Sequence, residues 1–163
     1  MSARRLASAC VAAAACAAAT LAAAGPAGQL RLAPADVAAL ARTAAGPGTS
    51  GIATIRTTVL AGDPAAPGPY TIALQVPAHT TIAAHTHRDD RSAVVVSGTW
   101  WFGYGPHHER AGLKRLPAGS FYAEPAGQPH YARTGDGPAL VYITGQGPTD
   151  TAYVEAAADP KRH

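Results

Sequence analysis

Gly119-Ser120-Phe121-Tyr122-Ala123-Glu124-Pro125-Ala126-Gly127-Gln128-Pro129-His130 reads Gly-x5-Pro-x-Gly-x2-His. Residues 120–123 and 130–133 are each strand-like, and two prolines and a glycine lie between them. Proline cannot donate to a sheet ladder and glycine accepts a sharp turn. Pro125 and Gly127 therefore redirect the chain, and His130 opens the returning strand.

The same pattern repeats on either side of this stretch. Strands are predicted over 52–60, 70–76, 80–87, 93–96, 99–104, 113–116, 120–123, 130–133 and 139–144, separated by turns such as Gly62-Asp63-Pro64 and a loop over 105–110. Short strands with turn signals between them argue for a β-sandwich or barrel. Too few helical stretches remain to build βαβ units. One short helix is predicted over 34–41, with Pro34 in its first turn and Gly46-Pro47-Gly48 beyond it. The fold class is all-β with one peripheral helix, and no internal repeat is evident.

His85 and His87 stand at i, i+2 on a predicted strand, so both rings share a face. Each neutral imidazole offers one nitrogen lone pair, and two on one face can share a metal. A His-x-His pair alone is a weak signal, since two partly exposed surface histidines give the same pattern. The setting of His130 changes the weighing.

Together these stretches resemble the cupin superfamily, over roughly residues 51–146. The second cupin motif is Gly-x5-Pro-x-Gly-x2-His-x3-Asn, and Thr134 stands at its last position. The first is Gly-x5-His-x-His-x3-4-Glu-x6-Gly, with His85, His87 and Gly98 in register. The resemblance implies a jelly-roll β-barrel (a double-stranded β-helix) in which His130 enters opposite the pair. It also implies a metal site on His85, His87 and His130.

The departures concern function. Arg91 stands where the first motif carries its acidic ligand, and a guanidinium cannot bind a cation. Asp89 and Asp90 are the nearest substitutes. Glu124 and Gln128 could supply an oxygen from the second motif, and His79 replaces the motif's first glycine. Three arrangements stay open: three histidines with open positions, three histidines plus a carboxylate, or a barrel without metal. The first two accept a divalent transition ion such as iron, manganese, nickel or zinc. An inward-pointing Arg91 would favour an anionic ligand, whereas an outward one leaves the three-histidine site intact.

Other candidates have plainer readings. His107-His108 lies in a solvated turn, and adjacent residues point apart. Trp100, Phe102 and Tyr104 share one strand face with Trp101 on the other, mostly as core packing; Tyr122 and Tyr131 are also read as packing. There is no nucleophile elbow, phosphate loop or dinucleotide loop.

The 163 residues amount to about one domain. Residues 1–27 read as an export signal: Arg4 and Arg5, an apolar run over 6–24, then small residues, with cleavage after Ala24 or Ala27. An uncleaved anchor and a lipid-modified Cys16 are the competing readings. Alanine contributes little transfer energy toward a membrane span, and no stable insertion is expected once the signal is removed. The organisation expected is a signal peptide (1–27), an arm with the helix (28–50), a barrel (51–155) and a tail (156–163), secreted or in the cell envelope. Both cysteines, Cys10 and Cys16, fall in the leader, so the remainder has neither disulfide nor thiolate chemistry.

Lys plus Arg total 13 against 10 Asp plus Glu, and without Arg4 and Arg5 the balance is 11 − 10 = +1. A nucleic-acid partner would need a concentrated basic face, which is absent. The expected partners are a small-molecule ligand and, from open sheet edges and the resemblance, a second copy of the chain. Function stays between a metal-dependent enzyme, such as a dioxygenase or isomerase, a non-catalytic ligand-binding module, and a structural or interaction domain whose cavity its own aromatics fill.

Overall fold

A computed structural model describes residues 29–44 and 46–162; the leader lies outside the described residues. The elements are helix α1 (Pro34–Ala39) and strands β1 (Arg56–Ala61), β2 (Gly68–Val76), β3 (Thr81–Thr86), β4 (Arg91–Ser97), β5 (Thr99–Tyr104), β6 (Lys114–Pro117), β7 (Phe121–Glu124), β8 (His130–Thr134), β9 (Ala139–Gly147) and β10 (Ala152–Tyr153). Two five-stranded antiparallel sheets result, ordered β1-β2-β9-β4-β7 and β10-β3-β8-β5-β6. Most connections after β2 cross from one sheet to the other, so the two sheets are wound together. This is the jelly roll.

Alternation along the strands builds the interior. Ile72, Leu74, Val76, Val95, Val141 and Ile143 face inward from the first sheet, and Ile82, Trp100, Phe102, Leu116 and Ala132 meet them from the second. Several of them, including Leu74, Ile82, Trp100 and Phe102, also border the space between the histidines. α1 sits at the periphery, where the Ala33 N–H donates to the Asp36 carboxylate at 2.7 Å and only Val37 is buried.

Most predicted boundaries shift by a few residues, and two of the differences matter here. The run 52–60 is not one strand: Ile55 N–H bonds to the Ile52 carbonyl in a turn, and the ladder begins at Arg56. The apolar residues there cap the core rather than alternate across a sheet. β3 ends at Thr86, one residue before His87. The two-residue β10 carries no signal long enough to read.

The β4–β5 turn depends on Gly98, whose φ is +77° and whose added Cβ would collide with the Pro138 carbonyl. Gly98→Ala should therefore cost about 1–3 kcal/mol from backbone strain, before the collision is counted. A thermal midpoint lowered by about 4 °C or more, read by circular dichroism, is the expected result.

Candidate metal centre

β3 and β8 are antiparallel neighbours with His85 opposite His130, so the register places two of the three histidines side by side. His87 follows just beyond the end of β3 and turns in to the same point. The ring centroids lie 5.0 Å (His85–His87), 4.4 Å (His85–His130) and 5.2 Å (His87–His130) apart. One ring nitrogen from each lies within 4.8 Å of the other two, and all three residues are buried. The convergence expected from the two motifs is present.

Each ring is oriented by a backbone carbonyl. His85 Nδ1 bonds to Ala83 O at 2.7 Å, His87 Nδ1 to Asp150 O at 2.5 Å, and His130 Nδ1 to Gln128 O at 3.1 Å. A carbonyl only accepts, so each Nδ1 carries the hydrogen and each Nε2 presents a lone pair. The Nε2 atoms of His87 and His130 are buried with no hydrogen-bond partner among the described residues. This tautomer, held by outer carbonyls, is the one a histidine needs to ligate through Nε2.

The first sheet closes the site from the other side. Arg91 on β4 and Glu124 on β7 are direct register partners. Arg91 Nε donates to Glu124 Oε2 at 2.6 Å, and its Nη2 contacts the same oxygen. Nη1 donates to Gly48 O at 2.9 Å. Glu124 in turn faces the imidazoles, with Oε2 3.8 Å from His87 Nε2 and Oε1 3.8 Å from His130 Nε2.

Burial sets the protonation states. It lowers His85 to about 3, helped by neighbouring His130, and lowers His87 to about 2, helped by Arg91. His130 is also lowered, chiefly by burial. Burial is the largest influence on the Glu124 carboxylate and works against it, but the Arg91 guanidinium together with His130, His87 and His85 outweighs it and holds the group at about 2. Near neutrality the cluster is three neutral imidazoles beside a compensated carboxylate.

The enclosed space is about 20 Å³, bounded by the histidines, Glu124, Trp100, Phe102, Tyr122 and Ser50 among others. That holds about one water or ion. Phe102 stacks on His130 at 5.4 Å and Tyr122 packs on Phe102 at 4.2 Å, which keeps the floor apolar. Residues 48–50 cross the mouth as a strap held by three successive carbonyls. Gly48 O accepts from Arg91, Thr49 O from the Thr151 hydroxyl at 2.9 Å, and Ser50 O from the Tyr153 hydroxyl at 2.5 Å. Sequence reading missed this strap, because backbone acceptors carry no side-chain signature.

The remaining candidates lie elsewhere. Asp89 is buried but turned from the imidazoles, accepting from the Tyr70 hydroxyl at 2.9 Å and the Thr149 hydroxyl at 2.5 Å. The chain has left the strand by then, so alternation no longer aims it at the site. Asp90 accepts from Ala126 N–H at the surface and secures the β7–β8 turn. The Gln128 side chain is exposed, and only its carbonyl serves the site. His79, at φ +56°, is exposed beside Asp136. His107 stands beside Glu155 and His108 beside Tyr131, both outside the centre.

No family model matches the sequence, and no curated protein does. Solved structures do. The polyketide cyclase RemF from Streptomyces resistomycificus aligns over 82% of this chain and 90% of its own, with TM-score 0.64 and 16% identity. A sugar phosphate isomerase of the cupin superfamily from Silicibacter pomeroyi aligns over 69% and 74%, at 0.53 and 16%. The DMSP lyase DddQ from Ruegeria pomeroyi aligns over 68% of this chain, at 0.54 and 22%, and the match spans 58% of that protein. With two interwoven antiparallel sheets and three histidines meeting between them, the chain has the cupin fold.

Proposed function

We propose that this chain is an exported, metal-dependent enzyme acting on a small molecule, with a divalent transition ion held by His85, His87 and His130. The observation that carries the reading is the set of Nε2 lone pairs, each pre-aimed by an Nδ1–carbonyl bond and buried around a space for one ion. Bound iron, manganese, nickel or zinc would supply a Lewis acid there, or a redox centre in the case of iron.

The protein's own groups supply the rest. Phe102, Tyr122 and Trp100 exclude water, and Arg91 keeps Glu124 ionised beside the imidazoles. A space of about 20 Å³ does not admit a substrate, so entry requires the 48–50 strap to swing away. The neighbours named as a cyclase, a lyase and an isomerase support small-molecule chemistry, within which isomerase or dioxygenase activity is the proposed range.

Arg91 does point inward, the arrangement that would favour an anionic ligand in place of a metal. Its charge is already matched by Glu124, and the metal-free binding module loses that support. Export rests on the leader. Homodimerisation is proposed through the outer face of the first sheet. Phe121 and Val94 are exposed register partners there, at the open edge formed by β7.

The test is elemental analysis of protein purified without chelator. About one equivalent of transition metal is expected in the wild type and less than about a tenth in His130→Ala, with the β-sheet circular dichroism retained. Wild-type protein that takes up no metal after loading would end the proposal, and full uptake by the variant would show the wrong site.

A further inference from the structure

The acidic ligand is absent from its motif position, yet a carboxylate from the facing sheet reaches two of the three nitrogens, those of His87 and His130, at 3.8 Å each. Resting on the metal reading above, we infer that Glu124 Oε1 is a fourth ligand to the ion, and that Arg91 is the residue that positions it.

Nε2 of each histidine is a lone pair, and a carboxylate oxygen is another. His130 Nε2 and Glu124 Oε1 face each other at 3.8 Å with no hydrogen on either to share. Two buried acceptors in that relation repel unless a donor or a cation stands near both. One water fills the space but has only two hydrogens for four acceptors. A cation satisfies all four at once.

Distance agrees. Zinc-to-nitrogen and zinc-to-carboxylate bonds are about 2.0–2.2 Å, so two ligand atoms on one ion lie no more than about 4.2 Å apart. The 3.8 Å separation is inside that limit. The imidazole nitrogens, within 4.8 Å of one another, need only a small closing movement.

Arg91 explains why the exchange of positions works. Both of its contacts to Glu124 fall on Oε2, which leaves Oε1 as the oxygen turned toward His130. The guanidinium therefore anchors the carboxylate by one oxygen and presents the other. It also cancels the carboxylate's charge. A dication at this centre would leave a net +2 where three histidines and a lone carboxylate would leave +1. The open face is thus suited to an anionic substrate, a carboxylate or enolate oxygen in preference to a neutral hydroxyl.

The experiment uses the full chain stripped with chelator, then titrated with Zn²⁺ for affinity and with Co²⁺ for the visible ligand-field spectrum. Arg91→Met/Glu124→Gln changes the net charge of the site by zero, so loss of a bonded oxygen is separated from loss of a nearby charge. A Zn²⁺ Kd raised by about 100-fold, with an altered Co²⁺ spectrum, is the expected result. Unchanged affinity and spectrum would overturn the role of Glu124 while leaving the three-histidine site standing. A wild type that binds neither ion would remove both readings. Should the double variant fail to fold, a crystal structure of the Zn²⁺-loaded wild type decides: Oε1 about 2.0–2.2 Å from zinc supports the assignment, and beyond about 3 Å it fails.

Discussion

Replacing Arg91 by methionine should destabilise the protein by about 3–5 kcal/mol, the largest effect expected of any single substitution at the site. Arg91 and Glu124 are both nearly inaccessible and are paired through Oε2. Removing the guanidinium leaves a buried carboxylate without its partner, and burial then pushes its protonation equilibrium upward instead of down. The Gly48 carbonyl loses its donor as well, which loosens the strap. Removing both charges is different in kind. Arg91→Met/Glu124→Gln leaves no uncompensated ion, so most of the loss should be recovered. Urea denaturation of wild type, single and double variants gives the cycle. A single variant within about 1 kcal/mol of wild type would show that the pair carries little of the fold's stability.

That pair also marks the limit of what could be read in advance. The Gly-x5-Pro-x-Gly-x2-His stretch was legible because its physics is local: Pro125 and Gly127, the latter at φ +68°, force the reversal that brings His130 to the start of β8. His85 and His87 were legible as a same-face pair for the same reason. The convergence of all three needed the resemblance, since nothing within either stretch states that β3 pairs with β8. Arg91 could be seen as a departure from the motif but not resolved. Its partner is 33 residues away and is set by the β4–β7 register. Asp89 was legible only as an acidic neighbour of the pair; the strand ends at Thr86 and the side chain bonds Tyr70 and Thr149. The strap was invisible altogether. Its ties are carbonyls of Gly48, Thr49 and Ser50 meeting the side chains of Arg91, Thr151 and Tyr153, 43 to 103 residues away.

Acid should begin to destabilise the metal-free protein as pH falls through about 6.5, above the range where ordinary carboxylates titrate, and the sign follows from the histidines. Their unfolded value is about 6.5, and burial lowers His85 to about 3 and His87 to about 2 in the folded state. Above pH 6.5 neither state binds these protons and no dependence arises. Between 6.5 and the folded values the unfolded chain binds protons that the folded chain refuses, so stability falls as pH falls. Each such group contributes up to about 1.4 kcal/mol per pH unit. Two units below 6.5, His85 and His87 together cost roughly 5 kcal/mol, comparable with the whole stability of a small domain. Glu124 acts in the same direction at lower pH. Its folded value near 2 lies below the ordinary 4.5, so its stabilisation is present above 4.5 and lost between 4.5 and 2. An unfolding midpoint between about pH 4 and 5 is expected for the chelated protein, followed by far-ultraviolet circular dichroism. A saturating divalent ion binds only the folded state and should move that midpoint toward lower pH. His85→Gln/His87→Gln removes two of the three titrations and should reduce the slope between pH 6.5 and 4.5, leaving the contribution of His130, which burial also lowers. A variant profile as steep as the wild type would mean that some other group drives the transition.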